Sequence, residues 1–251
     1  SSDFAMSVQQ TSDGGYIVAG STLSGILTFS FWILKLDSTG YLSWQKTHGG
    51  DWIDIARSIQ QTADGGYIVA GVSGAYGDED ISILKIDGLG ETIWSKIFGG
   101  DHADEANSII ETTDGNFVIA GSTKSFGAGE DDYNVWVLNI DALGNHIGSN
   151  YFGSPTRKDE ANKIIQTYDG GFILVGSTSS FGSGDMDIWV IKLSSSLMYQ
   201  WSQTFGGGFA DYGKDIQQTT DGGYIVAGST YSYGAGERDA WVIKLNASGD
   251  T

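Results

Sequence analysis

The sequence predicts an all-β fold of repeated four-stranded antiparallel sheets, and three observations predict it. The segment Asp-Gly-Gly, or Asp-Gly-Asn in the third copy, begins at Asp13, Asp64, Asp114, Asp169 and Asp221, with spacings of 51, 50, 55 and 52 residues. A fixed period of that size marks a solenoid or a propeller. Each copy also holds four short segments rich in β-branched and aromatic residues, the composition that strands prefer. Finally, no stretch sustains a helical apolar period, whereas Trp32, Leu34 and Leu36 alternate with Ile33 and Lys35. Four strands per copy make a propeller blade. The expectation is therefore a five-bladed β-propeller, a single domain over residues 1–251, with blades near 1–50, 51–100, 101–154, 155–207 and 208–251.

Within a copy the elements follow in order. The first strand is represented by Ala106 to Thr112, and Asp-Gly-Gly then supplies the positive φ of a tight hairpin. The second strand follows, as Gly-Gly-Tyr-Ile-Val-Ala-Gly-Ser-Thr from Gly222 to Thr230. The third is Asp187 to Leu193 and the fourth Trp94 to Gly100. Connections this short exclude parallel βαβ units. Fourth strands follow the first four copies at Trp44, Trp94, Gly148 and Trp201, whereas the fifth copy stops at Thr251 before reaching its own. The last blade is thus expected to lack its outer strand. The strand Ala240 to Asn246 is then an open edge able to pair with another chain, either upstream sequence of a parent protein or a second copy.

Composition narrows the function. Abundant Gly with a single Pro suits many short strands and tight turns. A formal charge of −18 repels phosphate backbones and anionic lipid, which argues against nucleic acid and membrane surfaces as partners. There is no Cys, so disulfides and thiolate metal sites are excluded. No apolar run approaches the roughly 20 residues needed to span a bilayer as a helix. The chain begins Ser1-Ser2-Asp3, without an initiator Met or apolar leader, which predicts processing or excision from a longer protein and is compatible with secretion.

The glycine that ends the second strand and the Trp that marks the fourth resemble the kelch-type propeller, with Ala-Gly-Ser-Thr in place of the kelch diglycine. Over the whole chain, Asp-Gly-Gly-Tyr-Ile-Val-Ala-Gly with Trp-x-Lys-Thr-Phe-Gly-Gly is similar to a repeat family of bacterial and archaeal secreted or surface proteins. That resemblance implies the fold and an extracellular or cell-surface location, and it transfers no catalytic or binding residue.

Candidate sites come from comparing the copies with one another. Asp3, Asp54, Asp104, Asp159 and Asp211 recur just before the first strand, in the loop between blades. A second series, Asp80, Asp187 and Asp239, precedes the third strand, with Asn134 and Ser30 in the other copies. Carboxylates at such places accept hydrogen bonds from turn N–H groups. They also suit calcium, since Asp185-x-Asp187, Asp78-x-Asp80 and Asp132-x-Asn134 bring oxygens close together, although none matches an EF-hand loop. Both readings stand. Two residues before the first series the side chains vary: Trp52, His102, Arg157 and Phe209, with Ser1 in the first copy. Variable aromatic and polar groups on one rim of a regular scaffold are where a ligand is gripped, and a sugar could stack on Trp52 or Phe209. Alternatively these rings merely cover blade edges. The aromatics Tyr76, Phe126, Phe181 and Tyr233 recur in the loop between the second and third strands, and recurrence favours packing. Two loops depart from the pattern, Gly25 to Phe29 and Ser154 to Lys158.

Catalysis needs asymmetric groups with different tasks, whereas near-identical copies repeat equivalent carboxylates. The three His residues stand apart: His48 replaces the Phe of Phe98, Phe152 and Phe205, His102 lies in an inter-blade loop, and His146 lies near the opposite face. No nucleophile elbow, phosphate loop or dinucleotide motif is present. The strongest enzymatic alternative is a glycoside hydrolase or lyase using two carboxyls of Asp54, Asp104, Asp159 and Asp211. A lectin-like or protein-binding module and a structural or adhesive repeat domain both act by presenting surface, so a non-catalytic binding or scaffolding domain is the expectation.

Overall fold

The computed structural model describes residues 3–23, 28–49, 53–75, 78–127 and 132–251, so Trp52, Tyr76 and most of the Gly25 to Phe29 segment lie outside the described residues. All regular structure there is β, in 19 strands. Repeat one contributes β1 (Phe4–Gln10), β2 (Tyr16–Leu23), β3 (Phe29–Leu36) and β4 (Leu42–His48). Repeat two contributes β5 (Ile53–Gln61), β6 (Tyr67–Ala75), β7 (Asp78–Ile86) and β8 (Thr92–Phe98). The third supplies β9 (Asp104–Glu111), β10 (Phe117–Thr123), β11 (Asn134–Ile140) and β12 (His146–Phe152). The fourth supplies β13 (Asp159–Gln166), β14 (Phe172–Thr178), β15 (Asp187–Leu193) and β16 (Tyr199–Phe205). In the fifth, β17 (Asp211–Gln218), β18 (Tyr224–Thr230) and β19 (Asp239–Leu245) form a three-stranded sheet.

Each repeat is an antiparallel meander. Repeats one and two differ from the expected separate sheets, because a single parallel bridge between Phe29 and Ile53 joins them. Sequence reasoning also placed the fourth strand too late: it begins at Thr92, two residues before Trp94, and ends at Phe98. The aspartates Asp104, Asp159 and Asp211 are corrected likewise, since each is the first residue of its strand and not a residue of the preceding loop, and Asp54 is the second residue of β5. They pair with the end of the second strand, Asp159 with Thr178 and Asp211 with Thr230, and that pairing draws them into the sheet.

The hairpin between first and second strands shows why Asp-Gly-Gly recurs. The Gly14 N–H donates to the Thr11 carbonyl and the Thr11 N–H to the Gly15 carbonyl, a three-residue loop whose left-handed position Gly14 fills at φ 81°. Asp13 accepts from Thr11 Oγ1 at 2.5 Å and Gly15 N at 3.0 Å, and pairs at 2.9 Å with Lys35 reaching over from β3. Gly15 is required for a different reason: a Cβ there would stand 2.3 Å from the Leu36 carbonyl oxygen and 2.5 Å from Lys35 Nζ. Repeat three has Asn116 for the second glycine and Asn139 for the lysine, so the two positions change together.

By compactness the chain divides into two units, Ser1–Ile119 with Asn139–Ile147, and Ala120–Leu138 with Gly148–Thr251. In the first, Ile17, Ala19 and Ile33 of repeat one pack on Ile59, Tyr67, Val69, Leu84 and Ile86 of repeat two. In the second, Ile173, Val175 and Val190 pack on Ile216, Tyr224, Val226, Ile243 and Leu245. Alternation along each strand gives a repeat two apolar faces, and in each unit a face of one repeat is buried against the next.

Candidate functional site

The two aspartate series meet between successive repeats. In the second unit, Asp159 is buried; its Oδ1 accepts from Thr178 Oγ1 and its Oδ2 from Ser180 Oγ at 2.5 Å and Ser154 N at 3.2 Å. A Cβ on Gly153 would stand 2.5 Å from Asp159 Oδ2 and 2.6 Å from Asn134 Oδ1, so both side chains converge over that glycine. Burial raises the Asp159 pKa, and the hydrogen bonds from Ser180 and Thr178 oppose the shift. One repeat further on, Asp187 and Asp211 converge over Gly206 in the same way. Asp211 Oδ2 accepts from Ser232 Oγ at 2.7 Å and Gly207 N at 3.0 Å, while Asp187 Oδ2 accepts from Ser183 N at 2.5 Å. The Oδ1 atoms of both are buried without a hydrogen-bond partner. Burial and then the Asp211 charge raise the pKa of Asp187.

In the first unit the corresponding pair is Asp80 with Asp104 over Gly99, and burial, reinforced by the charges of Asp104 and Asp78, pushes Asp80 up to about 6. Ser30 and Asp54 occupy the equivalent places beside Gly49, and Asp239 at the start of β19 accepts from Ala235 N at 3.1 Å. The junctions therefore fall into two kinds: an acid beside a neutral Asn or Ser, and an acid beside an acid. In the second kind the charge of the neighbouring acid adds to burial in raising the pKa of Asp80 and Asp187. Among the described residues no group of three or more His, Asp or Glu is arranged to hold a metal ion.

The rim residues are placed differently. His102 is exposed in the first unit. In the second, Arg157 donates to the Ser179 carbonyl at 3.2 Å, and Phe209 is anchored only through its backbone to Ser232 Oγ, its ring outside. The loop aromatics that recur do pack. Phe126 packs tilted against Trp136 and Tyr151, Phe181 against Trp189, and Tyr233 against Trp241, at ring separations of 5.1 to 5.7 Å.

Two clefts escaped the sequence reading. One, of about 350 Å³, is walled by Tyr151, Phe181, Trp189 and Tyr199, with Gly153 and Ser202 completing it. Its rings come from four separate strands and loops, so no linear motif marks it. The other, of about 280 Å³, lies in the first unit among His48, Asp54, Ser73, Ser82, Thr92 and Ser95. Here Ser82 stands where the other copies carry Trp32, Trp136, Trp189 and Trp241, a signal that comparing the repeats could have supplied. His48 lies against Thr92 Oγ1 at 3.2 Å, its Nε2 is buried without a partner, and burial lowers its pKa, so its ring is neutral at pH 7.

No family model matches this chain, and no curated protein matches it. Solved structures do. The WD40 domain of Neurospora crassa Pan2 superposes with a TM-score of 0.60 at 13% identity, over 96% of this chain and 62% of that one. The fold is that of a β-propeller. A putative gluconolactonase gives a TM-score of 0.52 at 13% identity, over 99% of this chain and 76% of its own. An endo-arabinase from Bacteroides thetaiotaomicron gives 0.52 at 11%, over 96% and 93%. At such identities the likeness extends to the fold alone, and a propeller carries enzymes and scaffolds alike. The chain spans 62% of the length of the Pan2 domain.

Proposed function

We propose that this chain is a non-catalytic binding or scaffolding β-propeller of five blades, exposed outside the cell or on its surface, that presents a loop face to a carbohydrate or a protein. The aromatic cleft of Tyr151, Phe181, Trp189 and Tyr199 carries the carbohydrate reading, because the exposed rings of Tyr151, Phe181 and Tyr199 about one hollow, with the buried Trp189 beneath, suit the apolar face of a sugar. Gly153, four residues before Arg157 in the chain, lines that cleft, while Tyr199 enters it beside Leu193 at the other end of β15. Arg157 and Phe209, with His102 and Trp52 at the equivalent places, supply side chains that vary from blade to blade while the blades stay constant.

Against the glycoside hydrolase or lyase, Asp54, Asp104, Asp159 and Asp211 are all buried. For Asp159 and Asp211, at least one oxygen is engaged with the chain's own hydroxyl and N–H groups. An acid–base pair needs carboxyls that reach the scissile bond.

A glycan-binding screen tests the reading, with the same glycans examined for cleavage. Binding that Tyr199→Ala reduces at least tenfold, without cleavage, is the expected result. Binding untouched by Tyr199→Ala but lost in Phe209→Ala would move the site to the rim. Cleaved products would overturn the non-catalytic reading. Backbone pairing along the open β19 edge is the proposed route to a protein partner.

A further inference from the structure

The polar cleft of the first unit is built from the same positions of its two repeats as the aromatic cleft is from repeats three and four. Ser82, Thr92 and Ser95 of repeat two correspond to Trp189, Tyr199 and Ser202 of repeat four, and His48 with Gly49 corresponds to Phe152 with Gly153. One junction is therefore walled by rings, the other by hydroxyls and an imidazole. The two departures occur together: Ser82 stands where Trp32, Trp136, Trp189 and Trp241 stand, and His48 where Phe98, Phe152 and Phe205 stand. In repeats three to five that indole packs against a loop aromatic, Phe126, Phe181 or Tyr233. Ser82 is too short to fill the room an indole takes, and a cleft of about 280 Å³ lies beside it. Alternation turns Ser82 and Leu84 of β7 to one face, and the pairing sets them against Ile97 and Ser95 of β8. Phe31, Leu84 and Asp54 are buried, whereas Thr92, Ser95 and Ile97 are exposed, so the cleft has a closed base and an open mouth.

We propose that this cleft is a second sugar-binding site, which takes one neutral sugar ring chiefly by its hydroxyl groups. The hydroxyls of Ser73, Ser82, Thr92 and Ser95, with the His48 imidazole and the Asp54 carboxylate, donate to and accept from such a ring. Phe31, Leu84 and Ile97 supply apolar wall for its C–H groups. Asp54 lines the cleft and neither Lys nor Arg does, in a chain of net charge −18, so a uronate, sulfate or phosphate is disfavoured. Burial lowers the His48 pKa, and the neutral ring adds hydrogen bonding without attracting an anion. Pockets for drug-sized ligands run from roughly 300 to 1,000 Å³, so this one holds a single ring and leaves the next unit of a chain outside. The site shares the carbohydrate class with the aromatic cleft but none of its residues, so either can fail alone.

The chain has three histidines, and the ring C–H signals of His48, identified by their loss in His48→Phe, report on the cleft by NMR. The probes are glucose, galactose, mannose, xylose and arabinose, each alone, with ethanolamine as a small cation. At least one sugar should shift the His48 signals to saturation, with Kd on the order of 1 mM, and leave His102 and His146 unmoved. Ser82→Trp restores the indole of the other repeats and should raise that Kd at least tenfold while the melting temperature holds. Ser95→Leu, at an exposed position of β8, narrows the same mouth without entering the core and should weaken binding likewise, so the test survives a misfolded Ser82→Trp. Tyr199→Ala should leave the His48 shift untouched. The proposal is overturned if no sugar shifts His48, if ethanolamine alone does, or if the shift persists unchanged in the cleft variants. Sugar binding that is lost in Tyr199→Ala but indifferent to Ser82→Trp would keep the aromatic cleft and remove this site.

Discussion

The most informative residues are those where one repeat replaces a pair that the others keep. Lys85 and Lys192 are nearly buried, yet each reaches a largely exposed aspartate, Asp64 and Asp169, at 2.9 and 3.0 Å. For Asp169, burial opposes ionisation, but the hydrogen bonds from Thr167, Lys192 and Gly171 outweigh it and leave the pKa at about 2. A depressed carboxyl stabilises the fold above its unfolded pKa, and that contribution is lost as pH falls from about 4 through about 2. Asp169→Ala leaves the Lys192 ammonium buried without its counter-ion and is expected to cost about 2 kcal/mol at pH 7, read from urea unfolding. Asp80 has the opposite sign. Its folded pKa lies above its unfolded one, so stability falls as pH rises from about 4 to about 6. Asn134 is the natural neutral version of this position, and Asp80→Asn should raise stability at pH 7 by about 1 kcal/mol, after allowance for its partial exposure. The gain should vanish at pH 4. Calcium added after chelation, with no rise in melting temperature of the wild type, would assign the acid pairs to a shared proton; a clear rise would assign them to the cation.

At the scale of the element, the turn between third and fourth strands shows how two blades are fitted together. In blades two, three and five it carries Gly90, Gly144 and Gly249 at φ 79 to 88°, each against the Trp of the blade before. Blade four inverts the arrangement: Leu197 occupies that position at φ 62°, and the preceding fourth strand has Gly148 in place of Trp. Leu197 is buried and its carbonyl accepts from Asn150 at 2.7 Å, so a buried leucine stands where the other turns carry glycine and the preceding strand lacks an indole. The left-handed backbone costs about 1 to 2 kcal/mol, and burial of the side chain more than offsets it. Leu197→Gly should therefore destabilise by about 1 kcal/mol despite relieving the strain, and Leu197→Gly combined with Gly148→Trp should recover the loss; thermal unfolding of the two variants checks it. A second constraint is the bulge in the first strand, between Ala161 and Lys163 in blade four. It brings the Glu160 carbonyl so near Gly176 that a Cβ would stand 1.8 Å from it, which explains the glycine of Ala-Gly-Ser-Thr. Strands and turns were legible because their signals are local. The bulge and the Trp–Gly exchange were not, because the residues that meet are tens of positions apart.

For the whole molecule, the third strand of blade five is an edge whose turn is already made. Asn246 N–H donates to the Asp250 carbonyl and Gly249 N–H to the Asn246 carbonyl. Appending the segment Gln200 to Gly207 after Thr251, which stands where Tyr199 does in the fourth repeat, should supply the return strand, raise the melting temperature by a few degrees and slow amide exchange along β19. Unchanged exchange would show that the edge is already paired. The repeat period, the strand order and the hairpin glycines were determined by the sequence alone, since turn chemistry and side-chain alternation act over a few residues. What the tertiary structure alone decided was which copies of a repeated residue are covered. Val190 and Val242 occupy equivalent places in near-identical strands, and one is 0% and the other 63% exposed. Likewise the aspartates that sequence placed in loops became buried partners across a junction. Burial depends on the neighbouring blade, and no period within one blade encodes what stands beside it.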